Sequence, residues 1–223
     1  MPPRALEPAG VALVDKPSGP SSFAVVAQIR RVTGARTGHA GTLDPFASGL
    51  LLILSGRATK LAPSLVGLDK RYVTEIDLTG RTSTGDPEGE VLERHAPPTR
   101  DELEEKLENL RGEIELPIPA ASAVKIGGER AYKLARRGVA VEMPVRRSTV
   151  RELDVIGYTG DTVTLDVRVS SGTYVRSLAT ALGGHCTSLR RTEVGPFSVE
   201  DAFPPEAFAA GRLLPEAEVL ERV

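Results

Sequence analysis

The chain has 223 residues, 40% of them hydrophobic, which is enough for one substantial domain with a sizeable core. A net charge of −2, 4% aromatic content and the absence of tryptophan argue against disorder, and the overall charge does not by itself point to nucleic acid. The single cysteine, Cys186, excludes an internal disulfide, and one cysteine with three histidines argues against a zinc site. Met1 to Gly10 is rich in Pro and Ala but has no signal-peptide apolar region, and there is no membrane span. A cytoplasmic protein without membrane association is therefore expected; the sequence does not show an oligomeric state, and a monomer is the default.

Charge is spread unevenly. From Lys125 to Arg151 there are eight Lys or Arg and two Glu, a balance of +6. From Asp101 to Glu115 the balance is −5, and from Asp201 to Val223 it is −3. A near-neutral protein can thus still present one basic surface to a polyanion, although a charge run alone reads more readily as a solvated face.

In chain order, Gly10 to Asp15 reads as a buried strand stopped by Lys16-Pro17-Ser18-Gly19-Pro20. Ser21 or Ser22 can cap a helix with Val25, Val26, Ile29 and Val32 at helical spacing and Gly34 as its stop. Leu50 to Leu54 reads as a strand. Arg71 to Leu78 alternates, with Tyr72, Thr74, Ile76 and Leu78 on one face. Gly80 to Gly89 is turn-rich. Thr99 and Glu102 form a capping box for an acidic helix reaching about Leu110, ended by Gly112. Gly127-Gly128 signals a tight turn before a short basic helix, Ala131 to Arg137. Arg147 to Ile156 and Asp161 to Val169 read as strands, and Ser170-Ser171-Gly172-Thr173 opens a helix to Leu182. There is no regular βαβ repeat, so the expected class is α+β, with a mixed or mainly antiparallel sheet and flanking helices.

The segment Gly38-His39-Ala40-Gly41-Thr42-Leu43-Asp44-Pro45-Phe46-Ala47-Ser48-Gly49 is the most informative. It sets one carboxylate, Asp44, in a glycine-rich loop between Leu43 and Pro45. Such a loop lets backbone approach a ligand while aiming one side chain at it. The plain alternative is an Asx turn, since Asp-Pro often starts turns. Walker A, His-Glu-x-x-His and Gly-x-Ser-x-Gly motifs are absent, and Phe46 stands where a phosphate-accepting Asp would want a second Asp. A nucleophilic carboxylate must stay ionised, which calls for a cation. Arg176, in Ser171-Gly172-Thr173-Tyr174-Val175-Arg176, is a candidate, with a helix-start arginine as its bland reading. Tyr72, among alternating strand residues, has a core tyrosine as its bland reading, and a histidine such as His39 is more often a satisfied loop residue than a catalyst.

Together these segments resemble the tRNA pseudouridine synthase B family, from Val11-Ala12-Leu13-Val14-Asp15-Lys16-Pro17-Ser18-Gly19 to about Phe197. Gly38-His39-Ala40-Gly41-Thr42-Leu43-Asp44-Pro45 is the most specific match. Lys70-Arg71-Tyr72, Ser122-Ala123-Val124-Lys125 with Gly127-Gly128, the Tyr174 to Arg176 segment and Leu189-Arg190-Arg191-Thr192 follow in order. The resemblance implies a pseudouridine synthase fold with a central RNA-binding cleft, in a single catalytic domain spanning 1–223 without the C-terminal PUA domain of many bacterial members. It implies conversion of uridine to pseudouridine in the T-loop of tRNA, at uridine-55.

By the same resemblance, Asp44 is the nucleophile, Tyr72 stacks on the target base and is a candidate to take the C5 proton, and Arg176 pairs with the aspartate. Lys16, Pro17, Tyr174 and Leu189 line or support the site, and His39 helps hold the opened T-loop. A thumb at about 119–147 would bring Lys125, Arg130, Lys133, Arg136 and Arg137 to phosphates. The partner is the T-arm of tRNA; no protein partner is evident. Because the isomerisation has no redox change, no cofactor is expected. Ala121 departs from the family's usual tyrosine, and the helix after Arg176 is short. A non-catalytic tRNA-binding folding factor on the same scaffold is the alternative.

Overall fold

The computed structural model describes residues 8–122, 124–131, 134, 137 and 142–223. These form two compact units, one of residues 1–72 with 190–223 and one of residues 73–189. Two strands, β4 (Lys70–Asp77) and β12 (His185–Val194), contribute residues to both.

The first unit opens with β1 (Gly10–Lys16), α1 (Ser22–Thr33), β2 (Thr37–His39) and β3 (Ser48–Ser55). Ser21 caps α1 by accepting from the Ala24 N–H, and Gly34, in the left-handed region, ends it. Val25, Val26 and Ile29 are buried as their spacing predicts, but Val32 is exposed, lying one residue off the inward stripe. The sheet order here is β1-β3-β12, with β2 on β3 and β13 (Phe197–Ser198) on β12. β1 and β3 are antiparallel, whereas β12 and β3 are parallel through Arg190↔Ser48 and Arg191↔Gly49. The sheet is therefore mixed, as expected. Leu50, Leu52 and Leu54 share one cluster with Val11, Leu13, Leu65, Val194 and Phe197. The outer edge of β1 is covered: Val11 and Leu214 exchange backbone hydrogen bonds, and Phe203 bonds Leu13 and Asp15.

In the second unit the order is β12-β4-β11-β10-β7, with β7 at Gly112–Pro117, β10 at Val145–Tyr158 and β11 at Thr162–Val169. The first half of β10 pairs with β7 and the second half with β11, both antiparallel. Val163, Leu165, Val167 and Val169 are all buried, as the alternation predicts. Two hairpins accompany this sheet: β5 (Gly80–Thr82) with β6 (Val91–Arg94), and β8 (Lys125–Ile126) with β9 (Glu129–Arg130). Gly127 and Gly128 carry φ of 57° and 89°, the conformation their Gly-Gly turn demands. The capping box of Thr99 and Glu102 starts α3 (Arg100–Glu108), the helix after α2 (Ala62–Gly67). The basic helix expected at Ala131 to Arg137 falls largely outside the described residues.

The helix expected from Ser170 begins later, as α4 (Val175–Leu182). Ser170 Oγ accepts from the Thr149 N–H and Thr173 Oγ1 donates to the Ser170 carbonyl, so both side chains hold a turn in place of a first helical turn. A short α5 (Glu216–Arg222) closes the chain.

Two positions bear most on stability. Gly49 has φ of 102°, and a Cβ there would lie 2.2 Å from the Arg191 carbonyl oxygen and 2.7 Å from its nitrogen. Gly49→Ala is expected to cost at least about 1–3 kcal/mol from the strained backbone alone, and more from the clash, read as a shifted urea midpoint. Arg176 and Asp86 pair at 3.2 Å with side chains only 3% and 5% exposed. Asp86→Ala removes a carboxylate partner of a buried guanidinium and is expected to cost about 3–5 kcal/mol by the same measurement.

Candidate active site

Asp44 lies half-buried in the segment between β2 and β3. The Ala47 N–H donates to the Asp44 carbonyl at 3.2 Å, closing a four-residue turn with Pro45 in its second position. The Asp-Pro turn reading is thus correct for the backbone, and the turn sits inside a dense hydrogen-bonded mount.

The chain leaving β1 wraps this turn. Lys16, fully buried, donates from Nζ to the carbonyls of Ala47 at 2.7 Å, Pro17 at 2.8 Å and Pro45 at 3.3 Å. Ser18 Oγ donates to the Phe46 carbonyl at 2.8 Å, and the Gly19 N–H to that of Pro45 at 2.8 Å. Ser22 Oγ accepts from the Leu43 N–H at 2.9 Å and donates to the Leu43 carbonyl at 2.8 Å. From the other side Arg191, 1% exposed, donates from Nε to the Leu50 carbonyl at 2.7 Å and from Nη2 to that of Gly41 at 3.1 Å. A bidentate Arg190–Asp15 pair, at 2.8 and 3.0 Å, ties the end of β1 to β12.

Arg191 also bears on two titratable groups of this unit. Burial, with the nearby Arg191 charge, lowers the His39 imidazole below its ordinary value. The same two causes push the Lys70 ammonium down to about 8, partly opposed by Asp69. Lys70 Nζ donates to the Val66 and Leu68 carbonyls at 2.5 Å each. Tyr72 is 8% exposed on the inward face of β4. Pro17 is exposed beside Lys16.

In the second unit, Arg176 is buried in the first turn of α4. Besides Asp86 it donates to the Thr84 carbonyl at 2.8 Å and the Ala121 carbonyl at 3.0 Å. The backbone of Ala121, where the family's usual tyrosine is absent, is therefore a direct partner of this arginine. Asp86 also accepts from Thr84 Oγ1 and from the Glu88 N–H. Tyr174 caps α4 in extended conformation, half-buried, and Leu189 is 7% exposed on β12. Lys125 is exposed at the start of the β8–β9 hairpin, facing Arg130 in register. Arg137 is exposed and pairs with Glu129 at 2.8 Å. Lys133, Arg136 and the side chain of Arg130 lie outside the described residues.

Sequence reading missed Asp86, Arg191 and Ser22. Asp86 is one polar residue in a turn-rich stretch, and nothing in its neighbourhood marks it. Arg191 and Ser22 act through main-chain carbonyls and amides, which leave no residue pattern, although Arg191 stands in a motif that the resemblance singled out.

The family model of the N-terminal domain of TruB family pseudouridylate synthases matches residues 30–175. The tRNA pseudouridine synthase B of Mycobacterium sp. (strain KMS) is 44% identical over 213 residues, covering 90% of this chain and 72% of that protein. Its counterpart from Thermobifida fusca (strain YX) is 45% identical over 229 residues, covering 95% of this chain and 78% of the relative. Among solved structures, a chain of a Cbf5-Nop10-Gar1 complex superposes with a TM-score of 0.67 at 31% identity, over 86% of this chain and 51% of that one. A chain of an H/ACA RNP bound to a substrate RNA containing 2'-deoxyuridine gives 0.65 at 27% identity, over 90% and 52%. The present chain thus spans about half the length of these two solved chains. With more than half of its length matched by the family model and close relatives covered over most of theirs, the chain belongs to the TruB family of pseudouridylate synthases.

Proposed function

We propose that this protein isomerises uridine to pseudouridine in the T-loop of tRNA, at uridine-55, with Asp44 as the nucleophile. Family membership supports the isomerisation of uridine in tRNA. The observation that carries the role of Asp44 is its mount: buried Lys16 and Arg191, with Ser18 and Ser22, bond the carbonyls of Gly41, Leu43, Pro45, Phe46, Ala47 and Leu50 on both sides of it. A carboxylate held on such a segment meets its target without reorganising, which lowers a barrier more than contact with a floppy loop can.

The reaction breaks the bond from ribose C1′ to N1 of uracil, turns the base and rejoins C1′ to C5. C5 then loses its proton and N1 gains one, so atoms and electrons balance within the substrate. An ionised carboxylate supplies the nucleophile. In this reading no external reductant, oxidant or cofactor enters. The target base leaves its stack at a cost of a few kcal/mol, and stacking on Tyr72 offsets part of that. Tyr72 is also the group assigned to take the C5 proton. Arg176, neutralised in its own unit by Asp86, is assigned to orient the carboxylate during the reaction. Lys16, Pro17, Tyr174 and Leu189 support the site, His39 holds the opened loop, and Lys125, Arg130, Lys133, Arg136 and Arg137 meet phosphates.

Asp44→Asn is expected to reduce tritium release from C5-labelled tRNA to the uncatalysed background. Its thermal unfolding and its affinity for tRNA should stay within a few-fold of the parent. Release at the parent rate would remove Asp44 as nucleophile. For the phosphate contacts, Lys125→Ala is expected to weaken binding about equally across tRNA sequences. It should also reduce the slope of log K against log salt concentration by about one, measured by filter binding at several ionic strengths.

A further inference from the structure

Phe23 is 69% exposed, whereas Phe197, Phe203 and Phe208 are 8% exposed or less. It is the second residue of α1 and lies off the buried stripe of Val25, Val26 and Ile29, so packing of the helix does not call for an aromatic there. A single exposed apolar residue is ordinary on its own. Three observations set this one apart.

First, its ring meets the His39 ring edge-on, with centroids 5.5 Å apart and planes at 79°. Most of the Phe23 surface stays open to solvent while the ring is steadied from one side. Second, its mount is rigid and adjoins the candidate nucleophile. Ser21 caps the helix, and Ser22, 1% exposed, is bonded to both main-chain groups of Leu43, the residue before Asp44. Third, the Nδ1 atom of His39 is buried without a hydrogen-bond partner among the described residues. Burial and Arg191 favour the neutral imidazole, a form that can donate at one nitrogen and accept at the other.

The surrounding charge selects the class of occupant. Between Asp15 and Asp44 the chain has no acidic residue but carries Lys16, Arg30, Arg31 and Arg36, and the three arginines are exposed. Phe23 is in the first turn of α1 and Arg30 and Arg31 are in its last; an exposed aromatic on a helix that also carries exposed cations matches an unpaired nucleotide, with a base to stack and a phosphate to neutralise. A purely apolar protein partner has no use for the arginines.

We propose that Phe23, steadied by His39, is a stacking platform for an unpaired nucleobase of the RNA substrate beside the Asp44 loop. The platform rests on the RNA-modifying role proposed above and adds a substrate-positioning residue to it. Stacking a base on an aromatic side chain corresponds to roughly 5- to 100-fold in affinity.

The test uses a T-arm RNA hairpin and the full chain carrying Asp44→Asn, so that binding is read without turnover. Adding Phe23→Ala or Phe23→Leu should weaken hairpin binding roughly 5- to 100-fold, while Phe23→Tyr binds within about twofold of the parent. Thermal unfolding should be unmoved, because the ring is exposed. With Asp44 intact, Phe23→Ala should raise KM for tRNA and leave kcat within about twofold. Binding by Phe23→Ala at parental affinity would overturn the platform. So would equal binding by Phe23→Leu and Phe23→Tyr, since a leucine offers contact but no stacking face. A parent with Asp44 intact that binds the hairpin but forms no pseudouridine would refute the proposed reaction and leave the stacking result standing.

Discussion

Lys16 and Arg191 are cations withdrawn from water, and both donate to main-chain carbonyls of the segment from Gly41 to Leu50. Taking such a charge out of water costs several kcal/mol, and good hydrogen bonds must offset it. The dependence runs both ways. The carbonyls help offset the burial of the cations, and the cations help hold the loop in shape. A shift of the loop by an ångström or two would leave a buried charge poorly bonded, a penalty far above the thermal energy available. The setting of Asp44 is therefore fixed by charge burial more than by the intrinsic preference of an Asp-Pro turn.

The sheet supplies this arrangement through its register. Lys16 at the end of β1 pairs with Gly49 on one side of β3, and Arg191 of β12 pairs with the same Gly49 on the other. One position of β3 thus aligns both cations with the loop that precedes it. Its backbone approaches Arg191 too closely for any side chain. Because side chains alternate along a strand, a slip of one residue in either neighbour would turn its cation to the opposite face. The fully apolar run Leu50 to Leu54, buried on both faces, makes such a slip costly and so protects the register on which the loop depends.

Elements with a local physical signature were legible in the sequence. The α1 stripe, Val32 apart, with its serine cap and glycine stop, the Thr99–Glu102 capping box, the alternation of β4 and β11 and the Gly127-Gly128 turn match the structure. β12 escaped because its inward positions include Arg191, so a buried residue breaks the apolar alternation that marks a strand. β7 escaped because Gly112 reads as a helix stop, and its strand has only Ile114 fully inward. Asp44 itself was visible from its glycine-rich setting, and its motif carried the family. The mount was not visible, since a bond from a side chain to a distant carbonyl has no counterpart in residue order. Asp86 was hidden for a related reason: its partner Arg176 is 90 positions away.

Charged pairs in this protein divide by depth. The Arg176–Asp86 pair and the cations on the Asp44 loop are buried, and losing one partner would cost several kcal/mol. Arg137–Glu129, Arg147–Glu115 and Arg81–Glu93 lie in solvent, where a pair contributes about 0–1 kcal/mol. Such a pair can be exchanged for a phosphate at little cost, because the arginine regains an anion and the glutamate regains water. An enzyme that grips a folded RNA and releases it again needs surface cations that change partners cheaply. It also needs a carboxylate whose support does not change partners at all. In the function proposed above, the positive balance of the Lys125 to Arg151 segment and the closed bonding around Asp44 would serve these opposite needs, and burial is the physical variable that separates them.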